Sequence, residues 1–223
     1  MADERWERYG AATGIFFVIL GVIAYVIAGP PPIPDAVGTD VVAHYVDNSD
    51  SLVLSSYLWG VAGLFYFWFL GSLRSYLRRA EGETERLSAV AFGAGIAGGA
   101  VFTVGTLVSV ALASDIAGAA SEDVTLALHE VATHAYIYAT FAFVALAAAT
   151  SVVSGRYRAF PGWLGWLGWL VALLTLLGSA AVFAETGPLA IGGALSVGGF
   201  AVFFLWFLAL SVTVTQRAGR PPA

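Results

Sequence analysis

Cysteine is absent from the chain. Disulfides, thiolate nucleophiles, iron–sulfur clusters and thiolate-bound zinc are therefore excluded. Lysine is absent too, so all 10 basic residues are Arg. Charge is scarce: 11% of the 223 residues are charged and 59% are hydrophobic, with a mean hydropathy of +0.82. Soluble domains carry about 25% charge, and a globule of this size cannot hide so much apolar surface from water. Much of the chain must have lipid as its solvent. No stretch is polar enough to form a separate soluble domain, so one transmembrane domain over residues 1–223 is expected.

What is present is a series of long apolar runs. Crossing about 30 Å of hydrocarbon takes about 20 helical residues. Six runs qualify, near 10–28, 52–72, 88–113, 124–152, 163–184 and 190–214. The expected fold is an all-α, polytopic bundle of six transmembrane helices. Arg5 and Arg8 before the first run resemble the start of a signal peptide, but that run exceeds the ~7–15 residues of a signal core and is read as a helix.

The charges test the count. Arg5, Arg8, Arg74, Arg78, Arg79, Arg86, Arg156, Arg158, Arg217 and Arg220 all fall on one side of a six-span chain. The positive-inside rule assigns that side, with both termini, to the cytoplasm. Asp3, Glu4, Glu7, Glu81, Glu83 and Glu85 share it, in an inner loop that runs from Arg74 to Arg86. Asp35, Asp40, Asp47, Asp50, Asp115, Glu122, Asp123, Glu130 and Glu185 make the outer side acidic. A cytoplasmic-membrane location follows, with the lipid bilayer as the principal partner. No basic aromatic surface suits nucleic acid.

Prolines from Pro30 to Pro34 interrupt the first outer loop and favour extended chain. Thr39 then offers a helix cap. Val41, Val42, Tyr45 and Val46 share one helical face, with Asp40, His44 and Asp47 opposite. This predicts a short amphipathic helix on the outer surface. Gly95 and Gly99 form a GxxxG pair on span three, extended by Ala91 and Thr103. Such a face lets helices approach closely, within the monomer or at a homo-oligomer seam. Gly10 with Gly14, and Gly192 with Ser196, offer similar faces. On span five, Trp163, Trp166 and Trp169 alternate with Gly165 and Gly168; drifting about 60° per step, the tryptophans are expected to wind around the helix.

The segment Gly71-Ser-Leu-Arg-Ser-Tyr-Leu-Arg-Arg-Ala-Glu-Gly, the run beginning Arg86-Leu-Ser-Ala-Val-Ala-Phe-Gly, the Pro161-Gly-Trp-Leu-Gly-Trp-Leu-Gly stretch and Phe204-Leu-Trp-Phe carry a resemblance. Over nearly its full length the chain is similar to a group of uncharacterised six-helix integral membrane proteins common in actinobacteria. The resemblance implies the architecture and no activity.

Chemistry is concentrated on span four. Ser121 is a helix cap, with Glu122 and Asp123 set against the positive helix start. His129 follows near the outer headgroups, with His134 roughly 7 Å deeper. Two zinc-binding His on one helix need i, i+4 spacing. Five residues apart, these diverge by about 140°, so a metalloprotease motif is excluded. Glu130, His134 and Tyr138 make one polar stripe; His129, Thr133, Tyr136 and Thr140 make another. Ionisable groups in a membrane point to function unless they are wet or paired.

The candidate polar site is therefore His129, Glu130, His134 and Tyr138. No cofactor is expected. A divalent metal on His44, His129 and His134, completed by Asp40 or Asp47, is an alternative. Haem is disfavoured, because only three His exist to supply two opposed axial ligands. The expected role is a small non-enzymatic membrane protein, structural or accessory. The rivals are a transporter or channel for a small solute or cation with an acidic outer vestibule, and an enzyme with an outward-facing metal. A transporter needs a cavity reaching Glu130 and His134 from outside, closed by the aromatics of span two. The enzyme needs His44 within metal-ligand reach of His129 or His134.

Overall fold

The structure is a computed structural model and describes residues 2–32, 37–184, 187–190 and 193–217. Asp35, Glu185, Gly192, Arg220, Pro34 and the side chains of Asp3 and Glu4 lie outside the described residues.

Every regular element among the described residues is helical: α1 (Ala2–Ala28), α2 (Gly38–Asp47), α3 (Ser49–Glu81), α4 (Arg86–Ala111), α5 (Glu122–Tyr157), α6 (Gly162–Ser179) and α7 (Ala194–Arg217). Six of these are long and apolar enough to cross a membrane, which marks a multi-pass membrane protein. Apolar helices suit that solvent because each satisfies its own backbone polar groups.

The helices run past the expected spans. The stretch from Arg74, expected to be inner loop, is helical to Glu81 and ends in a 3-10 turn at Gly82–Thr84. Leu73 and Leu77 are fully buried there, so the apolar stripe of α3 continues beneath its arginines. The Glu81 carboxylate accepts the backbone N–H groups of Leu87 and Ser88, each at 2.8 Å. It thereby caps α4, whose first amides have no partner within the helix.

The spanning helices form a ring. α1 packs on α3, α3 on α4, α4 on α5, α5 on α6, α6 on α7, and α7 returns to α1. Glycine sets the spacing at several seams. A Cβ on Gly95 would meet Leu70 at 2.8 Å, and one on Gly99 would meet Tyr66 at 2.8 Å. The GxxxG face therefore seats α3 of the same chain. Gly10 and Gly14 face α3 likewise, Gly14 also touching Ser211 of α7. Gly165 and Gly168 face Ser154 and Ser151 of α5. Trp163, Trp166 and Trp169 are instead 58%, 76% and 44% exposed. They do not wind around α6 as expected: steps of 60° spread three side chains over only about 120°, which fits the outer face of one helix.

The arginine-bearing helix ends meet at one end of the ring and are stitched there. The Ala159 carbonyl accepts from the Tyr76 hydroxyl at 2.7 Å and from the Arg217 guanidinium at 3.0 Å. The Tyr76 ring stacks on Phe160 at 5.0 Å. Arg79 pairs with Glu7 at 3.1 Å, an exposed contact that contributes little. Above this end, Leu70, Leu146, Val153, Trp206 and Leu210 fill the middle of the ring.

The opposite end is built differently. α4 closes in a π-turn, Leu112–Ile116, with the Ala117 N–H reaching the Leu112 carbonyl at 3.1 Å. The Ala113 carbonyl is taken by the Ser49 hydroxyl at 2.8 Å. α2 sits on this turn and on the start of α5, burying Val41 and Tyr45 against Leu112, Ala113 and Ala117. The expected amphipathic helix is thus present, but it leans on the bundle and leaves Val46 exposed. Its N-cap is Val37, not Thr39, and makes no side-chain cap bond. Gly38 lies against the Glu122 side chain, which would have to shift to admit a Cβ there.

Candidate functional site

At the α2 end the ring encloses a cavity of about 380 Å³. All six spanning helices contribute to its lining, and α2 lies at its mouth through His44 and Tyr45.

One wall is aromatic. Phe17 of α1, Trp59 of α3, and Phe200, Phe203 and Phe204 of α7 line it. They brace one another: Phe17 stacks on Phe204 at 5.4 Å, and Phe200 lies 4.4 Å from Phe204. The other wall belongs to α4 and α5 and carries hydroxyls. Thr103, Thr106 and Ser109 come from α4, and Thr133, Tyr136 and Thr140 from α5. Gly105 makes this wall possible, because a Cβ there would meet the Tyr136 ring at 2.8 Å.

The floor is Tyr66. Its buried hydroxyl donates to the Gly95 carbonyl at 2.9 Å, and its ring packs on Phe17 at 5.0 Å and Phe207 at 5.5 Å. Beneath it the core is continuous to the arginine end.

At the mouth, polar side chains meet. The Tyr45 hydroxyl and His129 Nδ1 are 3.0 Å apart, and the Ser109 and Tyr136 hydroxyls 3.2 Å apart. Burial pushes the Tyr45 phenol up to about 12; the Ser109 hydroxyl beside it opposes the shift, and Tyr136 adds to it. Burial also lowers His44 below the ordinary imidazole value. Both groups are thus held neutral near pH 7.

Span four turns one of its two polar stripes inward. His129, Thr133, Tyr136 and Thr140 line the cavity. Glu130, His134 and Tyr138 face away from it: His134 and Glu130 side chains are about half exposed, 3.6 Å apart, and Tyr138 is 61% exposed. The His134 ring also bonds its own helix at the Glu130 carbonyl, 2.8 Å away. The candidate site is therefore divided, with His129 on the cavity and the other three on the outer surface. Ser121 stands at the N-cap of α5 as expected, without a side-chain cap bond.

His44 and His129 share the mouth, but His134 does not join them. Among the described residues no three His, Asp or Glu side chains gather closely enough to hold a metal. Among the described residues no Asp, Glu or Arg lines the cavity. Sequence reasoning missed the hydroxyl stripe of α4 and the aromatic wall of α7. Both had a signal: Thr103, Thr106 and Ser109, like Phe200, Phe203, Phe204 and Phe207, recur at helical spacing. Comparison of the chain with protein families, with curated proteins and with solved structures finds no match.

Proposed function

We propose that this is a solute-binding protein of the cytoplasmic membrane, with its arginine end and both termini in the cytoplasm. Its ligand is a small, uncharged, largely apolar molecule that enters the cavity from the outer face, beneath α2. The orientation is supported by the single-sided arginines.

The observation that carries the ligand class is the lining itself. Ligand sites are concave, mostly apolar and fixed by a few polar groups. Among the described residues this cavity has an aromatic wall, a hydroxyl wall, two histidines and no Asp, Glu or Arg. Among the described residues a cation would find no carboxylate there, and bare ions do not enter such surroundings without one. This favours a neutral solute over the cation path that the acidic outer loops suggested. A purely accessory role would leave the cavity without an occupant, and among the described residues a metal enzyme would lack a third ligand at the mouth.

A cavity-filling variant tests the reading. Gly63 lines the cavity, and a Cβ there would meet nothing within 4 Å. In detergent-purified protein, fluorene should raise the melting temperature saturably, as any ligand selective for the folded state does. Gly63→Leu should fold normally and lose that response. No saturable shift in the wild type, or an equal shift in the variant, refutes the proposal.

A further inference from the structure

Resting on the cavity reading, though not on its entrance beneath α2, we infer that the cavity has a second, lateral entrance. It lies between α3 and α4 at the middle of the bilayer and admits the hydrocarbon end of a molecule dissolved in lipid.

The α3–α4 seam is closed above and below one level and open at that level. Below it, Gly95 seats Leu70 and Gly99 seats Phe67, with would-be Cβ contacts of 2.8 and 3.0 Å. Above it, Trp59 crosses to Phe102, the ring centroids 4.9 Å apart. Gly63 stands between, about one helical turn from Trp59 and one from Phe67. A Cβ on Gly63 would meet nothing within 4 Å.

The cavity runs into this gap. Gly63 and Phe67 of α3 line it, as does Thr103 of α4. Phe67 and Thr103 are also exposed. At 100° per residue, Phe67 sits about 60° around α3 from Leu64, and Thr103 about 40° around α4 from Leu107. Those two leucines are 68% and 64% exposed and mark the lipid side of each helix. The lining therefore passes from the floor at Tyr66 to the outer edge of the seam.

Depth decides what can use the opening. Gly63 and Thr103 lie within about 4 Å of the midpoints of the apolar runs 52–72 and 88–113. Headgroups begin about 15 Å away on either side. Thr103 donates to the Gly99 carbonyl at 2.8 Å, so its hydrogen is satisfied on its own helix and the lip suits hydrocarbon. Each methylene withdrawn from water contributes about 0.8 kcal/mol, so a molecule with a long hydrocarbon end is concentrated where the gap opens. That end belongs either to a free lipophile or to a lipid's acyl chain; the chemistry at the opening is the same.

Two probes separate these sources and test the entrance: free fluorene, and a phosphatidylcholine carrying fluorene at the tip of one acyl chain. The headgroup of the second stays at the surface while its ring lies near the midplane. In nanodiscs, both should raise the melting temperature of the wild type saturably. Thr103→Trp puts a plug at the lip. It should need about tenfold more of the anchored probe for the same shift, yet still respond to free fluorene, which has the entrance beneath α2. Thr103→Leu takes its place if the tryptophan variant does not fold. An anchored probe that is inert where free fluorene acts on the wild type overturns the lateral entrance and leaves the cavity reading standing. So does an anchored response undiminished in the variant. Loss of both responses alike makes Thr103 an ordinary wall residue and overturns it too. Failure of both probes on the wild type overturns the cavity reading itself.

Discussion

The Tyr45 hydroxyl and His129 Nδ1 lie 3.0 Å apart, and this bond ties the ten-residue helix α2 to the fourth spanning helix, α5. Tyr45 is otherwise held by an apolar patch with Val41, Leu112, Ala113 and Ala117. Tyr45→Phe keeps that patch and deletes the bond, a loss of about 1 kcal/mol. Amide exchange over Gly38–Asp47 should accelerate about fivefold, with the spanning helices unchanged. Unchanged exchange in α2 would mean that the apolar patch alone holds it.

His44 makes the seat of α2 sensitive to pH. Burial depresses its protonation in the docked state, so the undocked helix binds the proton more tightly. Docking is then at full strength above the ordinary imidazole value of about 6.5 and weakens as pH falls below it. Protection of the α2 amides, taken relative to intrinsic exchange at each pH, should fall between pH 8 and pH 5. In His44→Gln that acid-side loss of protection should shrink. An equally steep profile in the variant would assign the effect to another group.

The glycine seams differ in what they tolerate. Gly99→Val places a branched side chain against Tyr66 and Phe67, and overpacking of this kind costs about 1–3 kcal/mol. The melting temperature should fall by several degrees. Gly93, on the same helix, has nothing within 4 Å of a would-be Cβ. Gly93→Ala should leave stability level or raise it slightly, since alanine is the better helix former. Equal responses at the two sites would argue against the α3–α4 contact.

Glu81 joins two spanning helices through α4's first amides. Replacing its buried carboxylate by alanine leaves the Leu87 and Ser88 N–H groups unpaired, a cost of about 1–2 kcal/mol. Exchange at those two amides should increase before any global change in melting. Glu81→Gln, which keeps one acceptor oxygen, should fall between wild type and alanine.

The spans were readable because the thickness of a bilayer and the hydrogen-bonding needs of the backbone leave few alternatives. The two polar stripes of α5 were readable as well. Which of them turns inward was not, because Glu130, His134 and Tyr138 follow the helical period as faithfully as His129, Thr133 and Tyr136. That choice is made by partners distant in sequence: Gly105 on α4, which leaves room for the Tyr136 ring, and Tyr45 on α2, which takes His129. The continuation of α3 past Arg74 was hidden by its charges. Leu73 and Leu77 carry the buried stripe onward regardless of what faces solvent.

The knot of Tyr76, Ala159 and Arg217 bears on traffic. Three helix ends share one carbonyl there, and Leu70, Leu146, Val153, Trp206 and Leu210 pack above it. A guest lodged beside Trp59 would meet that packing before the arginine end. On the proposed reading, carrying cargo onward would begin with parting α7 from α3.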